Sequence, residues 1–194
     1  MTETLAASRP RMSHDARHAQ LLACARDLIR DEGSDALTLA RLAERAGVTK
    51  PLVYQHFGAK AGVFVELYRE FKTRTHVALD EALAHGGTGL AEVAQIIADA
   101  YIDCIDDESA ELPGVSGALS GSPELELLRQ EADAAFSARC RAALQPFAPD
   151  GRVTDAALYA ILGAAEGIAR ALVLEKIAFA ESKEALAKIV VSAV

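Results

Sequence analysis

The 194-residue chain has no run approaching the roughly 20 unbroken apolar residues that a membrane-crossing helix needs, so no membrane is expected among its partners. Its first residues, MTETLAASRPRMSHDAR, contain no apolar core of the signal-peptide kind, and a cytoplasmic protein is expected. The three cysteines, Cys24, Cys104 and Cys140, are widely spaced and form no CxxC pair. Structural zinc is thereby disfavoured, and the cysteines read as small apolar core residues. Five histidines are present, yet no nucleophile elbow, phosphate-binding loop or metal-ligand pair accompanies them, so neither catalysis nor a cofactor is expected. The acidic group Asp103, Asp106, Asp107, Glu108 and Glu111 lacks calcium or zinc spacing and reads as a solvated loop at a helix end.

Half the residues are apolar (51%), and the length suffices for one small domain and one larger core. The net charge of -8 argues against nucleic acid only until it is divided along the chain. Residues 1 to 60 hold 9 Lys and Arg against 7 Asp and Glu, a balance of +2, while the remainder holds 11 against 21. A DNA reader needs a local basic surface, not a basic total, and Arg9, Arg11, Arg17, Arg41, Arg45, Lys50 and Lys60 are the candidates to supply it.

The segment TLARLAERAGVTKPLVYQHFGAK, residues 38 to 60, reads as two short helices joined by a tight turn. Thr38 is a good N-cap, and Leu39, Leu42, Ala43 and Ala46 recur at helical spacing on one face. Gly47 ends that helix because glycine enters the left-handed region without a Cβ penalty. Val48 plugs the angle between the helices, Thr49 caps the second, and Pro51 is tolerated in its first turn. The second helix starts at about Lys50. Leu52, Val53 and Phe57 face inward, leaving Lys50, Pro51, Tyr54, Gln55 and His56 outside. Lys50 and Gln55 suit base edges, Pro51 or Leu52 a thymine methyl, and a Tyr hydroxyl or His a phosphate.

The run GVTKPLVYQHFGAK, following LTLARLAERA, closely resembles the N-terminal domain of TetR-family transcriptional regulators. It shares their T-L-x-x-L/I-A-x-x-A-G-V turn and their Y-x-H-F recognition-helix end with a lysine three residues later. The detailed resemblance covers about residues 14 to 66. Departures are Ala59, where the family often has Ser, Asn or Asp, and Gly62, where it often has an acid; Ala59 leaves the next helix without a capping side chain. The resemblance implies an all-α protein: a three-helix helix-turn-helix domain followed by a helical domain for ligand binding and dimerisation. It further implies that Thr38, Tyr54, His56 and Lys60 hold phosphates of double-stranded DNA.

On the rest of the chain the patterns predict about nine helices and no strand. Residues 1–12 form an arm in which Arg9 and Arg11 either enter a minor groove or belong to a tail without function. A helix-turn-helix domain is expected at 13–60 and an effector-binding and dimerisation domain at 61–194. The first helix runs from Ser13 or His14 to Glu32, burying Leu22, Ala25, Leu28 and Ile29, and Gly33 stops it. From about Lys60 to Ala84 one helix of roughly 35 Å lines up Phe64, Leu67, Tyr68, Phe71, Thr75, Ala78, Leu79 and Ala82, and GGTG ends it. A helix at about 90 to 106 carries Val93, Ile96, Ile97, Ala100, Tyr101, Cys104 and Ile105; the glycine- and proline-containing stretch after it holds one short helix at best. Ser122-Pro123-Glu124 starts another, which QPFAPDG breaks. Thr154 caps a helix at 155 to 179, and Ser182 caps the last.

Ala156, Ala160, Gly163, Gly167 and Ala171 form a small-residue stripe on the penultimate helix, and Leu186, Ile189, Val190 and Ala193 a narrower one on the last. Pattern alone leaves packing within the subunit and a symmetric four-helix seam equally open. The family resemblance implies the seam, hence a homodimeric repressor on a palindromic operator, and a small-molecule effector that releases the DNA. Candidate effector contacts are Phe71, Thr75, His76, Tyr101, Cys104, Phe136, Cys140, Tyr159, Leu162 and Glu166, each with ordinary core packing as its alternative. Glu166 pairs with Arg170 or orients a polar or cationic ligand, because a buried carboxylate needs a partner. Rival readings are an activator or ligand-free architectural DNA binder, a helical interaction module and, least favoured, an enzyme.

Overall fold

The computed structural model of the protein describes residues 12–119 and 121–194; Arg9, Arg11 and nearly all of the expected arm lie outside them. Among the described residues the fold is all-helical: α1 (His14–Glu32), α2 (Leu39–Ala46), α3 (Lys50–Phe57), α4 (Lys60–His85), α5 (Leu90–Glu111), α6 (Val115–Ala118), α7 (Pro123–Leu144), α8 (Asp155–Val173) and α9 (Phe179–Ser192). The expected caps at Ser13, Thr38, Ser122 and Thr154 each accept a hydrogen bond from the backbone N–H three residues on. Thr49 is the exception. It occupies the N-cap position of α3, but its side chain makes no capping bond.

The apolar residues divide into two cores. The first gathers Leu21, Leu28, Leu42, Val53 and Phe57 from α1 to α3 with Val63, Phe64, Leu67 and Phe71 of α4, and is closed by Leu112, Val115, Leu119, Leu125 and Leu128. The second joins Leu79 of α4 to Ile97 and Ile102 of α5, Phe136 and Cys140 of α7, Ile161 and Leu162 of α8, and Leu186 and Val190 of α9. Helix α4 enters both. On its far half the expected face is rotated: Ala78 and Ala82 are exposed while Thr75 and His76 are half-buried.

Three boundaries differ from expectation. Helix α5 continues through the acidic residues to Glu111, where three of the five form ion pairs instead of a solvated loop: Lys72–Glu108 at 2.9 Å, Arg74–Glu111 and Lys183–Asp103. It stops short of Pro113, whose ring disfavours helical geometry in the residue before it. Helix α8 ends at Val173, six residues early, where Lys176 N–H donates to the Ala171 carbonyl and Glu175 N–H to that of Leu172. That is a helix-ending double bond of the kind usually built on glycine, but here Glu175 takes the positive φ of 54°, so the sequence shows no stop signal. Ser182 lies inside α9, fully buried, with its hydroxyl donating to the Phe179 carbonyl at 2.6 Å; the helix begins three residues before it.

Two glycines set the geometry of the reading head. Gly47 sits at φ 65°, ψ 35°, reversing the chain between α2 and α3. Gly62 is needed for a different reason: a Cβ there would fall well inside contact distance of the Phe57 carbonyl oxygen, the last residue of α3. The acid common at this position in the family does not fit so tight an α3–α4 turn. Gly62→Ala is expected to lower unfolding free energy by about 1–3 kcal/mol, the usual cost of overpacking, as measured by urea denaturation; an unchanged midpoint would show that the turn relaxes freely.

Candidate nucleic-acid interface and effector cavity

The inner face of α3 is fixed by Val53 and Phe57, both buried, and by half-buried Leu52. Its other face presents Lys50, Pro51, Tyr54 and Gln55 to solvent, with exposed Thr49 before them. Tyr54 is 56% exposed, a large aromatic that the domain itself leaves uncovered. Thr38 is exposed as well, and because its oxygen accepts from Arg41 N–H at 3.0 Å, its hydroxyl proton remains available to a phosphate. Lys60 is half-buried, its Nζ reaching the Asp35 carbonyl at 3.4 Å and lying 5.2 Å from the centre of the Phe64 ring.

The basic surface is narrower than the sequence suggests. Arg41 is paired with Glu32 and Glu44, and Arg45 with Asp31 and Glu32, so both serve the α1–α2 junction. Arg17 is bonded to the neutral Gln20 amide, and among the described residues no carboxylate pairs with it. His56 belongs to a cluster that the sequence did not disclose. His14 and His18 of α1 meet it, with His18 Nδ1 to His56 Nδ1 at 3.3 Å and the His14 and His56 rings stacked at 4.4 Å. Burial, then His14, His18 and Arg17, lower the His56 pKa below the usual histidine value. The His18 ring is tilted at 48° to that of His56, and among the described residues no group of His, Cys, Asp and Glu is arranged to hold a metal ion.

A cavity of about 380 Å³ opens where the two cores meet, bounded by α4, α5, α7 and α8. Six expected residues line it: Thr75, His76, Tyr101, Cys104, Phe136 and Glu166. Four do not. Phe71 is buried in the first core and Cys140 in the second, where burial pushes the Cys140 thiol up to about 12. Tyr159 and Leu162 line a separate hollow between α7 and α8. Glu166 is exposed and makes no ion pair with Arg170 among the described residues, so the argument from a buried carboxylate does not apply to it.

Sequence reasoning missed Tyr68, Lys72, Glu108, Arg129 and Asp133 in the cavity wall. The available signal was Lys72, a charge one turn from Tyr68 on an otherwise apolar face. Lys72 and Glu108 are each only 17% exposed. Burial opposes the Lys72 ammonium, but Cys104, Glu108 and Tyr68 together hold its pKa above the ordinary lysine value. Burial also raises the Cys104 pKa, leaving Cys104 a neutral thiol at pH 7 and Glu108 the principal countercharge. Asp133, raised by burial and by Glu166, and Tyr101, raised by burial with Asp133 and Glu166, mark an acidic side of the same cavity.

The small-residue stripe splits the same way. Ala156, Ala160, Gly163 and Gly167 are exposed and Ala171 is half-buried; a Cβ on Gly163 or Gly167 would meet nothing within 4 Å. On α9, by contrast, Leu186 and Val190 are fully buried in the second core, so they are packing residues of the subunit, while Ile189 and Ala193 are partly accessible.

Removing one member of a buried ion pair strands the other. Glu108→Gln is therefore expected to cost roughly 3 kcal/mol of stability in urea denaturation, the low end for such a break because some solvent access remains; a loss below about 0.5 kcal/mol, typical of surface substitutions, would mean that Lys72 finds solvent or another partner.

Residues 21–67, spanning α1 to the middle of α4, match the family model described as bacterial regulatory proteins, tetR family. The chain is similar to the HTH-type transcriptional activator FasR of Mycolicibacterium smegmatis, 29% identical over 99 residues that cover 51% of this chain and 45% of that protein. It is 35% identical over 60 residues to YdeS of Bacillus subtilis, an uncharacterized HTH-type transcriptional regulator, covering 31% and 30% of the two. The matches thus span less than half the length of these relatives. Along nearly its whole length the fold is shared with the transcriptional regulator FadR of Bacillus subtilis, solved in complex with stearoyl-CoA. That likeness has a TM-score of 0.68 at 15% identity and covers 91% of this chain and 99% of that one. Residues 21–67 thus carry the N-terminal domain of the tetR family of bacterial regulatory proteins, on a chain whose overall fold is shared with a regulator of known structure.

Proposed function

We propose that the chain is a homodimeric, effector-responsive transcriptional regulator that acts in the cytoplasm, without enzymatic activity, on a palindromic operator. The observation that carries this reading is the exposed ridge of α3: Lys50, Tyr54 and Gln55 stand outward on a helix whose inner side is locked by Val53 and Phe57. A helix so held enters a major groove as a unit. Lys50 and Gln55 read base edges, Pro51 and Leu52 touch a thymine methyl, and Thr38, Thr49, Tyr54, His56 and Lys60 hold phosphates.

The dimer is supported by the outer face of α8. Alongside the bare stripe, Tyr159 is 74% exposed, and Val173 and Leu174 are exposed too. Helix α8 is also long and apolar enough to cross a membrane by length and composition, but Glu166 and Arg170 share its exposed surface, and a second protein helix accommodates them at less cost than lipid. The small-molecule effector occupies the cavity at the junction of the cores. There it touches α4, and α4 leads directly to α3 through the tight turn at Gly62. An occupant that favours one setting of α4 shifts the separation of the two heads, and bound DNA weakens effector binding by the same factor. Whether DNA occupancy represses or activates depends on operator position; the name of FasR, an activator, favours keeping activation as the second reading.

Fluorescence anisotropy with labelled DNA from upstream of the protein's own gene tests the head. Wild type should bind saturably against scrambled competitor and Tyr54→Ala should not, while Lys60→Ala should weaken binding and reduce the salt slope by about one. Equal binding of scrambled DNA by wild type and Tyr54→Ala would favour an interaction module. Gly163→Leu tests the seam: with open space around Gly163 in the subunit it should fold normally yet sediment as a monomer, and a dimer of unchanged stability would remove α8 from the interface.

A further inference from the structure

The three-histidine cluster has no role in the fold that explains it. Its members come from separate elements, His14 and His18 from the first turns of α1 and His56 from the end of α3, the recognition helix. His14 is largely exposed, and the other two are half-buried, with the His18 ring 4.9 Å from the centre of the Phe57 ring. The 3.3 Å approach of two Nδ1 atoms is possible as a hydrogen bond only if one ring carries the proton there and the other accepts. The pair therefore shares one Nδ1 proton; one further proton makes a single imidazolium that donates to its neutral neighbour, and a second sets two imidazolium charges side by side.

The surroundings set the sign. Positive charge comes from Arg17 and from the amino end of α1, whose free N–H groups favour anions. Among the described residues the carboxylate in contact is Asp15, fully exposed and 3.4 Å from His14. In the free protein His56 resists protonation. The His56 pKa is depressed in the folded chain, so its neutral form contributes stability above the ordinary histidine value, and that contribution is lost as pH falls. A phosphodiester laid against the rings supplies the missing countercharge and reverses the preference.

Resting on the DNA-binding reading above, we propose that His14, His18 and His56 form a proton-linked phosphate clamp: contact with the DNA backbone draws a proton from solvent onto the cluster, so that duplex affinity rises as pH falls. The cluster's ligand is a phosphodiester, which carries no sequence information, so no operator is needed to test it. It also ties α1 to the recognition helix at the moment of contact, since the protonated rings share one anion.

The experiment is anisotropy of a labelled random-sequence duplex, long enough for two half-sites one turn or more apart, at fixed low ionic strength and from about pH 7.5 to about pH 6, bracketing the ordinary histidine pKa. Uptake of one proton gives at most about a tenfold gain in affinity per pH unit; a gain of at least about threefold per unit is expected for wild type. His18→Gln and, separately, the exposed His14→Gln should flatten the slope while still binding at pH 7.5, and calorimetry in buffers of different ionisation enthalpy should register the proton taken up. Binding that is independent of pH, or that weakens in acid, overturns the clamp and leaves the DNA-binding reading standing; so does a slope unchanged in both variants. Failure of wild type to bind duplex at any pH overturns both.

Discussion

Helix α4 is the member on which the rest of the structure depends, because one continuous hydrogen-bonded rod is buried at both ends in different apolar cores. Val63 to Phe71 belong to the reading head's core and Leu79 to the core of the larger domain. Between them, where hydrophobic burial lapses, α4 is held to α5 by the Lys72–Glu108 pair. Desolvating two charges is costly, and the pair persists there because each is the other's countercharge in a wall that is mostly apolar. The cavity opens at this same lapse, so the buried charge pair that holds α4 to α5 stands where a small molecule can reach it.

That arrangement joins three surfaces otherwise far apart in sequence. The exposed ridge of α3 is linked to α4 by a turn too tight for any residue but glycine at position 62. The bare face of α8 lies on the other side of the cavity, with Glu166, Ala169 and Arg170 in its wall. A shift of α4 is transmitted to the head because the head's core is close-packed against it, and packed interiors pass displacement on instead of absorbing it.

The reading head was legible in the sequence because local signals and tertiary packing agree there: Thr38 caps, Gly47 turns, and the apolar spacing of α2 and α3 faces the core it implies. Legibility failed where tertiary charge or unusual backbone decided the outcome. The acidic end of α5 looks like a loop until Lys72, Arg74 and Lys183 arrive from other helices. The end of α8 is invisible because Glu175 does what glycine usually does. Part of the cavity wall was foreseen through Thr75, Tyr101, Phe136 and their neighbours, but aromatic and sulfur-bearing residues on amphipathic helices mark core and cavity alike, and Phe71 and Cys140 fell on the other side of that division. The histidine cluster needed α1 and α3 to be brought together, which spacing alone does not reveal.

The most direct test of α4 as a single lever is native-state hydrogen exchange through a urea series, comparing amides of residues 63–71 with those of 79–85. If one cooperative rod ties the two cores, both stretches should open with the same free energy and the same urea dependence. Separate opening, with one half exchanging through a smaller and less urea-sensitive event, would show that the cores are independent and that a molecule in the cavity has no mechanical route to the recognition helix.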